Sequence, residues 1–328
     1  MGELYDLKKT FKNLPDRYLM DIIKTLGLAK PGKKENVVLN LTHSDLDGAV
    51  AGIVVKNVFP NAITVKTNYV GSGDYNTACD AITGLSYEAI IFTDFCPDDN
   101  MVQLIHSVNK PYLVIDHHQT AKVRDDDELG LYIVDTSVCG ALLSLGYFSK
   151  FANLDHLATL CEVTNDHDLW IRKMVPLSDN LNTLLYELGY DEFMEKFMNG
   201  IEGYNLPSDV LPTLANHDKE VDEHMFRCEQ HKLPYNGYYI ETDRFNSDIV
   251  IRLLEHYDWL VLAGTEEPSP GITKLSFRTN RKDINIGQFL KELGRGGGGH
   301  PGAAGQLIPT AEKDEFINQV AEGLFGPH

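Results

Sequence analysis

The sequence has no apolar run of the roughly eighteen residues that a membrane-spanning helix needs. Its N-terminus, MGELYDLKKTFKNLPDRYLMD, is interrupted by charges where a secretory leader needs an unbroken apolar stretch. These absences predict a cytoplasmic protein with no membrane partner. Basic residues are also scarce: 29 Lys and Arg stand against 48 Asp and Glu, a formal net charge of −19. Non-specific affinity for nucleic acid comes largely from many basic contacts to phosphates, so a long duplex is excluded as a default partner. A nucleic-acid substrate, if there is one, should be small. The five cysteines, Cys79, Cys96, Cys139, Cys161 and Cys228, are widely spaced and contain no CxxC pair. That argues against both a zinc ribbon and a disulfide framework and favours reduced, mostly structural thiols.

What is present is enough for two domains: 328 residues, 43% of them hydrophobic. Residues 1–35 carry apolar positions at helical spacing and end in the turn-prone KPGKK, which predicts a helical appendage. From Val37 the pattern changes to short apolar runs, VVLNL, AITVKT, EAIIFTD, PYLVID and LYIVDT, separated by amphipathic segments. Such alternation predicts an α/β domain over 36–190, a mostly parallel sheet with helices on both faces. Residues 191–234 read as a helical linker whose segment from Leu211 through Cys228 is too polar to be core throughout. Strands return after Pro234 in YYIET, WLVLAG and KLSFRT, followed by a helix over 285–293, the run GRGGGGHPGAAG, and a last helix near 311–324. They predict a smaller α/β domain over 235–328. No internal repeat is visible.

Three acidic or acid–histidine clusters fall at the same place in successive units. His43, Asp45 and Asp47 follow VVLNL, Asp94 follows AIIF, and Asp116, His117 and His118 follow YLV. Ligands bind at the carboxyl ends of strands in an open parallel sheet, so these side chains should converge. Carboxylates fixed close together repel one another, and a bound cation relieves that repulsion. Mixed carboxylate and imidazole donors suit a divalent first-row ion such as manganese. Two such ions would bind phosphoryl oxygens and activate water, which is the chemistry of phosphoester hydrolysis.

HSDLDG at 43–48, the lone Asp94 and DHH at 116–118 resemble the first three motifs of the DHH superfamily of phosphoesterases. The resemblance implies a fourth motif, an aspartate after an apolar helix, and CEVTNDHDLW supplies Asp166 and Asp168. In the nano-RNase branch this aspartate resembles that of a D-x-W or D-T-G triplet, which selects Asp168 ahead of Trp170 and leaves Asp166 second. LSFRT at 275–279 followed by GRGGGGHPGAAG at 294–305 resembles the DHH-associated C-terminal domain. The motifs together span about 38–308, most of the chain.

The resemblance implies that His43, Asp45 and Asp94 hold one metal, and that Asp47, Asp94, His117 and Asp168 hold the other, with Asp94 bridging. The ions would be manganese, with magnesium or another divalent ion open. It implies that Asp116 orients a histidine and that His118 sits beside the scissile phosphate, stabilising charge or protonating the leaving oxygen. Arg278, Gly298, Gly299 and His300, within a loop from Gly296, would hold the far end of the substrate.

The implied reaction is hydrolysis of short oligoribonucleotides or linear dinucleotides to 5′-mononucleotides, with homodimerisation left open. Rival readings are a RecJ-like single-strand DNA exonuclease, a phosphatase for cyclic nucleotides or 3′-phosphoadenosine 5′-phosphate, and a non-catalytic nucleotide sensor. Other features carry no site. RDDDE at 124–128 reads as a solvated loop and GSG at 71–73 as a lone turn, while His106, His156, His217, His224 and His231 lack partners at ligand spacing.

Overall fold

A computed structural model describes residues 37–264, 271–294 and 297–327. The helical appendage expected over 1–35 lies outside the described residues. The chain divides into two compact units, one ending at Leu214 and the other beginning at Ala215.

In the first unit the short apolar runs form β1 (Val38–His43), β2 (Ile63–Thr67), β3 (Ala89–Thr93), β4 (Tyr112–Asp116) and β5 (Gly130–Val134). All pair in parallel, in the order β2-β1-β3-β4-β5. Between and after them lie α1 (Leu46–Val58), α2 (Gly73–Gly84), α3 (Asp99–Val108), α4 (Gly140–Phe148), α5 (Ala158–Asp168), α6 (Leu177–Leu188) and α7 (Tyr190–Lys196). Side chains alternate across the sheet. Leu39, Leu41, Ile90, Phe92 and Val114 pack with Ile82 of α2 and Met101 and Ile105 of α3. Val38, Ile91, Leu113 and Ile115 pack on the opposite face with α1, α4, α5, α6 and α7. Strands covered on both faces must be apolar at nearly every position, which explains why they read as continuous runs.

This strand order places the site. From β1 the chain goes to β2 on one side, and β3 lies on the other, so the connections leaving the carboxyl ends of β1 and β3 turn to opposite faces. A crevice opens at that switch point, where open parallel sheets bind ligands.

The second unit holds most of α8 (Leu211–Arg227), then β6 (Gln230–Leu233), β7 (Gly237–Glu241), α9 (Asn246–Leu254), β8 (Trp259–Gly264), β9 (Ile272–Thr279), α10 (Ile286–Glu292), β10 (Gly298–His300), β11 (Ala303–Pro309) and α11 (Lys313–Val320). Its sheet runs β10-β11-β9-β8-β7-β6, and only β7 and β8 are parallel neighbours. The chain is thus an α/β protein with a parallel-sheet unit followed by a smaller mixed-sheet unit. Residues 191–234 are shared between the two cores rather than free-standing: Phe193, Phe197, Ile201, Val210 and Leu214 are buried in the first, Val221 in the second. Among the described residues no helix is long and apolar enough to cross a membrane.

Candidate metal centre

The turn from β1 into α1 is shaped by its own polar side chains. Asp45 caps α1, one carboxylate oxygen accepting the Gly48 amide at 3.0 Å, while the other lies 2.7 Å from His43 Nδ1. Gly48 is required here, since a Cβ would stand 2.1 Å from the His43 carbonyl oxygen. Asp47, 1% exposed, reaches across to the start of α4, where it accepts the amides of Gly140 at 2.6 Å and Ala141 at 2.7 Å. Unsatisfied amides at a helix N-terminus are ready-made donors to an anion. Gly140 also makes room, because a Cβ there would come 2.8 Å from the Asp94 Cβ.

Asp94 follows β3 in left-handed backbone, φ 53°, with its amide donating to the Ile115 carbonyl at 2.9 Å. Its side chain lies between two groups. One oxygen is 3.7 Å from His43 Nδ1, and the other is 3.2 Å from His117 Nε2 and 3.8 Å from His118 Nδ1. His117 Nε2 also stands 3.5 Å from Asp47 and 3.5 Å from Asp168. Asp116, at the end of β4, accepts the His117 amide at 2.8 Å and His118 Nδ1 at 2.8 Å, fixing both histidines. Three sets of potential ligand atoms result, each within 4.8 Å: His43, Asp45 and Asp94; Asp47, His117 and Asp168; and Asp94, His117 and His118.

Charge is crowded here. Burial pushes the Asp94 carboxyl up to about 7, with nearby Asp45 adding to the rise. Burial, with Asp94 and Asp168 alongside, raises Asp47 well above the carboxylate range, and burial raises Asp168 as well. Burial would raise Asp45 too, but the His43 hydrogen bond holds it down to about 2. The hydrogen bond to Asp45, helped by the nearby Asp94 carboxylate, lifts His43 to about 11, and the Asp116 hydrogen bond lifts His118 to about 9. Both oxygens of Asp94, His117 Nε2 and one oxygen of Asp168 are buried without a hydrogen-bond partner. Buried polar atoms rarely stay unpaired, so this donor set fits divalent cations. Cys139 lies against Asp47 but keeps its proton, because burial and then Asp47 push its pKa up.

In the second unit, the DHHA1 domain family matches residues 246–325. Over 309 residues the chain is 24% identical to oligoribonuclease NrnB of Bacillus subtilis (strain 168), an alignment covering 85% of this chain and 75% of NrnB. Its structure is similar to the pGpG-specific phosphodiesterase PggH from Vibrio cholerae, with TM-score 0.56 and 16% identity over 87% of this chain and 99% of that one. It is also similar to exonuclease RecJ bound to manganese, with TM-score 0.54 and 12% identity over 94% of each chain. The chain thus resembles the DHH phosphoesterases, with a DHHA1 domain at residues 246–325. Its acid–histidine clusters offer ligand sets for metal ions.

The two aspartates that the resemblance offers as a fourth motif differ sharply in surroundings. Asp168 joins Asp47 and His117, whereas Asp166 is turned away and accepts the amides of Lys173 at 2.7 Å and Met174 at 3.0 Å, plus Ser178 Oγ at 2.9 Å. Asp166 shapes the chain entering α6. In the DHHA1 unit, Arg278 on β9 pairs in register with Ala303 on β11, which pairs with His300 on β10, so these three positions form one row. Gly298 and Gly299 precede His300 on β10, and Gly296 lies outside the described residues. Burial lowers the pKa of Arg278, whose guanidinium donates to the Phe277 carbonyl at 2.8 Å.

Several neighbours of the DHH centre are not evident from the sequence. A cavity of about 460 Å³ opens beside it, lined by His43, Asp94 and His118 and also by Tyr69, Lys122 and Arg124. Arg124 corrects the expectation of a merely solvated loop at 124–128: it donates to Asp99 at 2.7 Å and to the Tyr132 hydroxyl at 3.1 Å. Asp127 accepts from the Tyr112 hydroxyl at 2.6 Å and lies 2.9 Å from His106 Nε2. His156, His217 and His224 likewise have partners, in Asn57, Asp248 and Thr242. Those partners lie far away in sequence, so spacing cannot reveal them.

Proposed function

We propose that this enzyme hydrolyses short oligoribonucleotides or linear dinucleotides to 5′-mononucleotides with two divalent ions, manganese first among them. The observation that carries the reading is Asp94, buried and unpaired, with one oxygen facing His43 and the other facing His117. His43, Asp45 and Asp94 would hold one ion, and Asp47, Asp94, His117 and Asp168 the other. When bound, the ions supply positive charge to the phosphoryl oxygens and lower the pKa of a water molecule.

The remaining roles belong to the chain. Asp116 fixes the His118 ring through Nδ1, and the hydrogen bond that lifts His118 to about 9 keeps it protonated near neutral pH. His118, on the wall of the cavity, then gives its proton to the departing O3′ as the P–O3′ bond breaks. Gly140 and Ala141 amides hold Asp47 in place without adding charge. Residues 36–190 form the catalytic domain in this reading and 235–328 the substrate-binding domain. There Arg278, Gly298, Gly299 and His300 take the far end of the substrate.

The substrate class is supported by the names of two relatives, an oligoribonuclease and a phosphodiesterase specific for pGpG. A net charge of −19 also suits a short ligand, because it offers little attraction to a long polyanion. The test is product analysis with 5′-labelled di- to decanucleotides and twenty-nucleotide single strands, cyclic nucleotides and 3′-phosphoadenosine 5′-phosphate, in manganese and in chelator. Di- to pentanucleotides should be cleaved fastest, to mononucleotides, and only with metal. Faster cleavage of twenty-nucleotide single strands than of dinucleotides would overturn the reading.

A further inference from the structure

The turn that closes α5 carries a residue that its backbone disfavours. Trp170 donates its amide to the His167 carbonyl at 3.1 Å, and Ile171 donates to the Asp166 carbonyl at 2.9 Å. These are the paired bonds of a helix end whose left-handed position normally holds glycine or asparagine. Trp170 occupies that position with φ 53°, and Arg172 follows with φ 65°. Left-handed backbone brings Cβ against the following carbonyl oxygen, so a bulky residue is out of place there. Burial offsets this only in part, because Trp170 remains 57% exposed.

The surroundings nevertheless hold the indole in place. Arg172 lies over the ring, 4.5 Å from its centroid, and its guanidinium is forked on the Asp179 carboxylate. The following amides of Lys173 and Met174 are anchored on Asp166. A fixed, largely exposed aromatic surface thus stands two residues from Asp168, which lies with Asp47 and His117 in the acid–histidine centre.

We infer that Trp170 is a stacking platform for one nucleobase of the substrate, setting the adjacent phosphodiester over that centre. The inference rests on the phosphodiesterase reading above. An aromatic face accepts any base, since every base has a π-face, so the platform contributes affinity and position rather than sequence preference.

The test compares a dinucleotide with two analogues, each abasic at one position. Trp170→Asn removes the ring and suits the turn, because asparagine tolerates left-handed backbone. It should lower kcat/KM on the intact dinucleotide by about tenfold to a hundredfold, the size of one aromatic–base stack. One of the abasic analogues should lose a similar factor with wild-type enzyme, and on that analogue Trp170→Asn should cost nothing further. Trp170→Phe should recover most of the loss. A null effect of Trp170→Asn on the intact dinucleotide would overturn the inference alone. So would the same loss on the dinucleotide and both analogues, since the ring would then be supporting Asp168. Wild-type enzyme that fails to cleave any dinucleotide would overturn the substrate reading and this inference with it.

Discussion

At the carboxyl edge of the first sheet, Asp45, Asp47, Asp94 and Asp168 converge with His43 and His117, Asp47 and Asp94 buried, the others half-buried, and several with atoms unpaired. Where β10 and β11 of the second unit pair, the residues are instead glycine and alanine apart from His300, with Arg278 one strand away. The first arrangement destabilises the metal-free fold, because crowded buried carboxylates must either repel or take up protons. The second offers backbone amides and one cation in place of a crowd of carboxylates. Substitutions in the first region should therefore affect every substrate and the metal, and substitutions in the second only those substrates that reach it.

The largest expected effect comes from Asp94→Ala. As the proposed shared ligand it should be indispensable to both ions, so turnover of any phosphodiester should fall by about three orders of magnitude or more. The fold should survive. Its melting temperature without metal should match or exceed that of wild type, because a buried, unpaired carboxylate has been removed. Added manganese should stabilise the variant less than wild type. Undiminished hydrolysis by Asp94→Ala would end the comparison, since the crowded edge would then not be the reactive one.

Asp168 and Asp166 sharpen it within a single helix. Asp168→Ala should cost about a hundredfold or more in metal-dependent activity with little change in stability. Asp166→Ala should do the reverse, leaving the Lys173 and Met174 amides and the Ser178 hydroxyl without their acceptor. About 3 kcal/mol of stability is the expected loss, read by chemical denaturation, with activity retained at low temperature. A stable but inactive Asp166→Ala would shift the proposed ligand by two residues.

Much of this was legible in the sequence because burial on both faces leaves a plain signal in strands such as AIIFT. The acid and histidine motifs were equally plain, each standing where a strand must end. The hold on Asp47 was not, because its donors are the backbone amides of Gly140 and Ala141, which leave no side-chain signature. Nor was the left-handed turn at Trp170, since its sequence looks like an ordinary helix end. Asp127 was hidden for a different reason: it sits in an acidic run, and its partners Tyr112 and His106 come from other elements.

A smaller effect is expected from the second region. Arg278→Ala should reduce kcat/KM on dinucleotides by about tenfold to a hundredfold and on bis-p-nitrophenyl phosphate by no more than about threefold. The generic ester has no far end for Arg278 to hold. Equal losses on both substrates would erase the contrast between the regions and give Arg278 a part in the fold or in the reacting centre.

The smallest effect is on the stability of the metal-free protein, and its sign follows from the crowding. Asp94 has a folded pKa of about 7 against an ordinary 3.8, so below pH 7 the folded state takes up a proton that the unfolded chain does not. A raised pKa contributes stability that is complete below the unfolded value and lost as pH rises through the folded one. Acidification from pH 6.5 to 5 in chelator should therefore stabilise the protein, by about 2 kcal/mol from Asp94 alone. Asp47 and Asp168, also raised, add in the same direction. His43 and His118 have pKa values of about 11 and 9, so their contribution is nearly complete below 6.5 and changes little across this window. Asp45, held at about 2, changes only in stronger acid. Asp94→Asn should flatten the slope by about the Asp94 share, and an unchanged slope would mean that Asp94 is ionised in the metal-free fold. Manganese competes with those same protons, so the stability it adds should shrink as pH falls, and the two pH curves should converge toward pH 5.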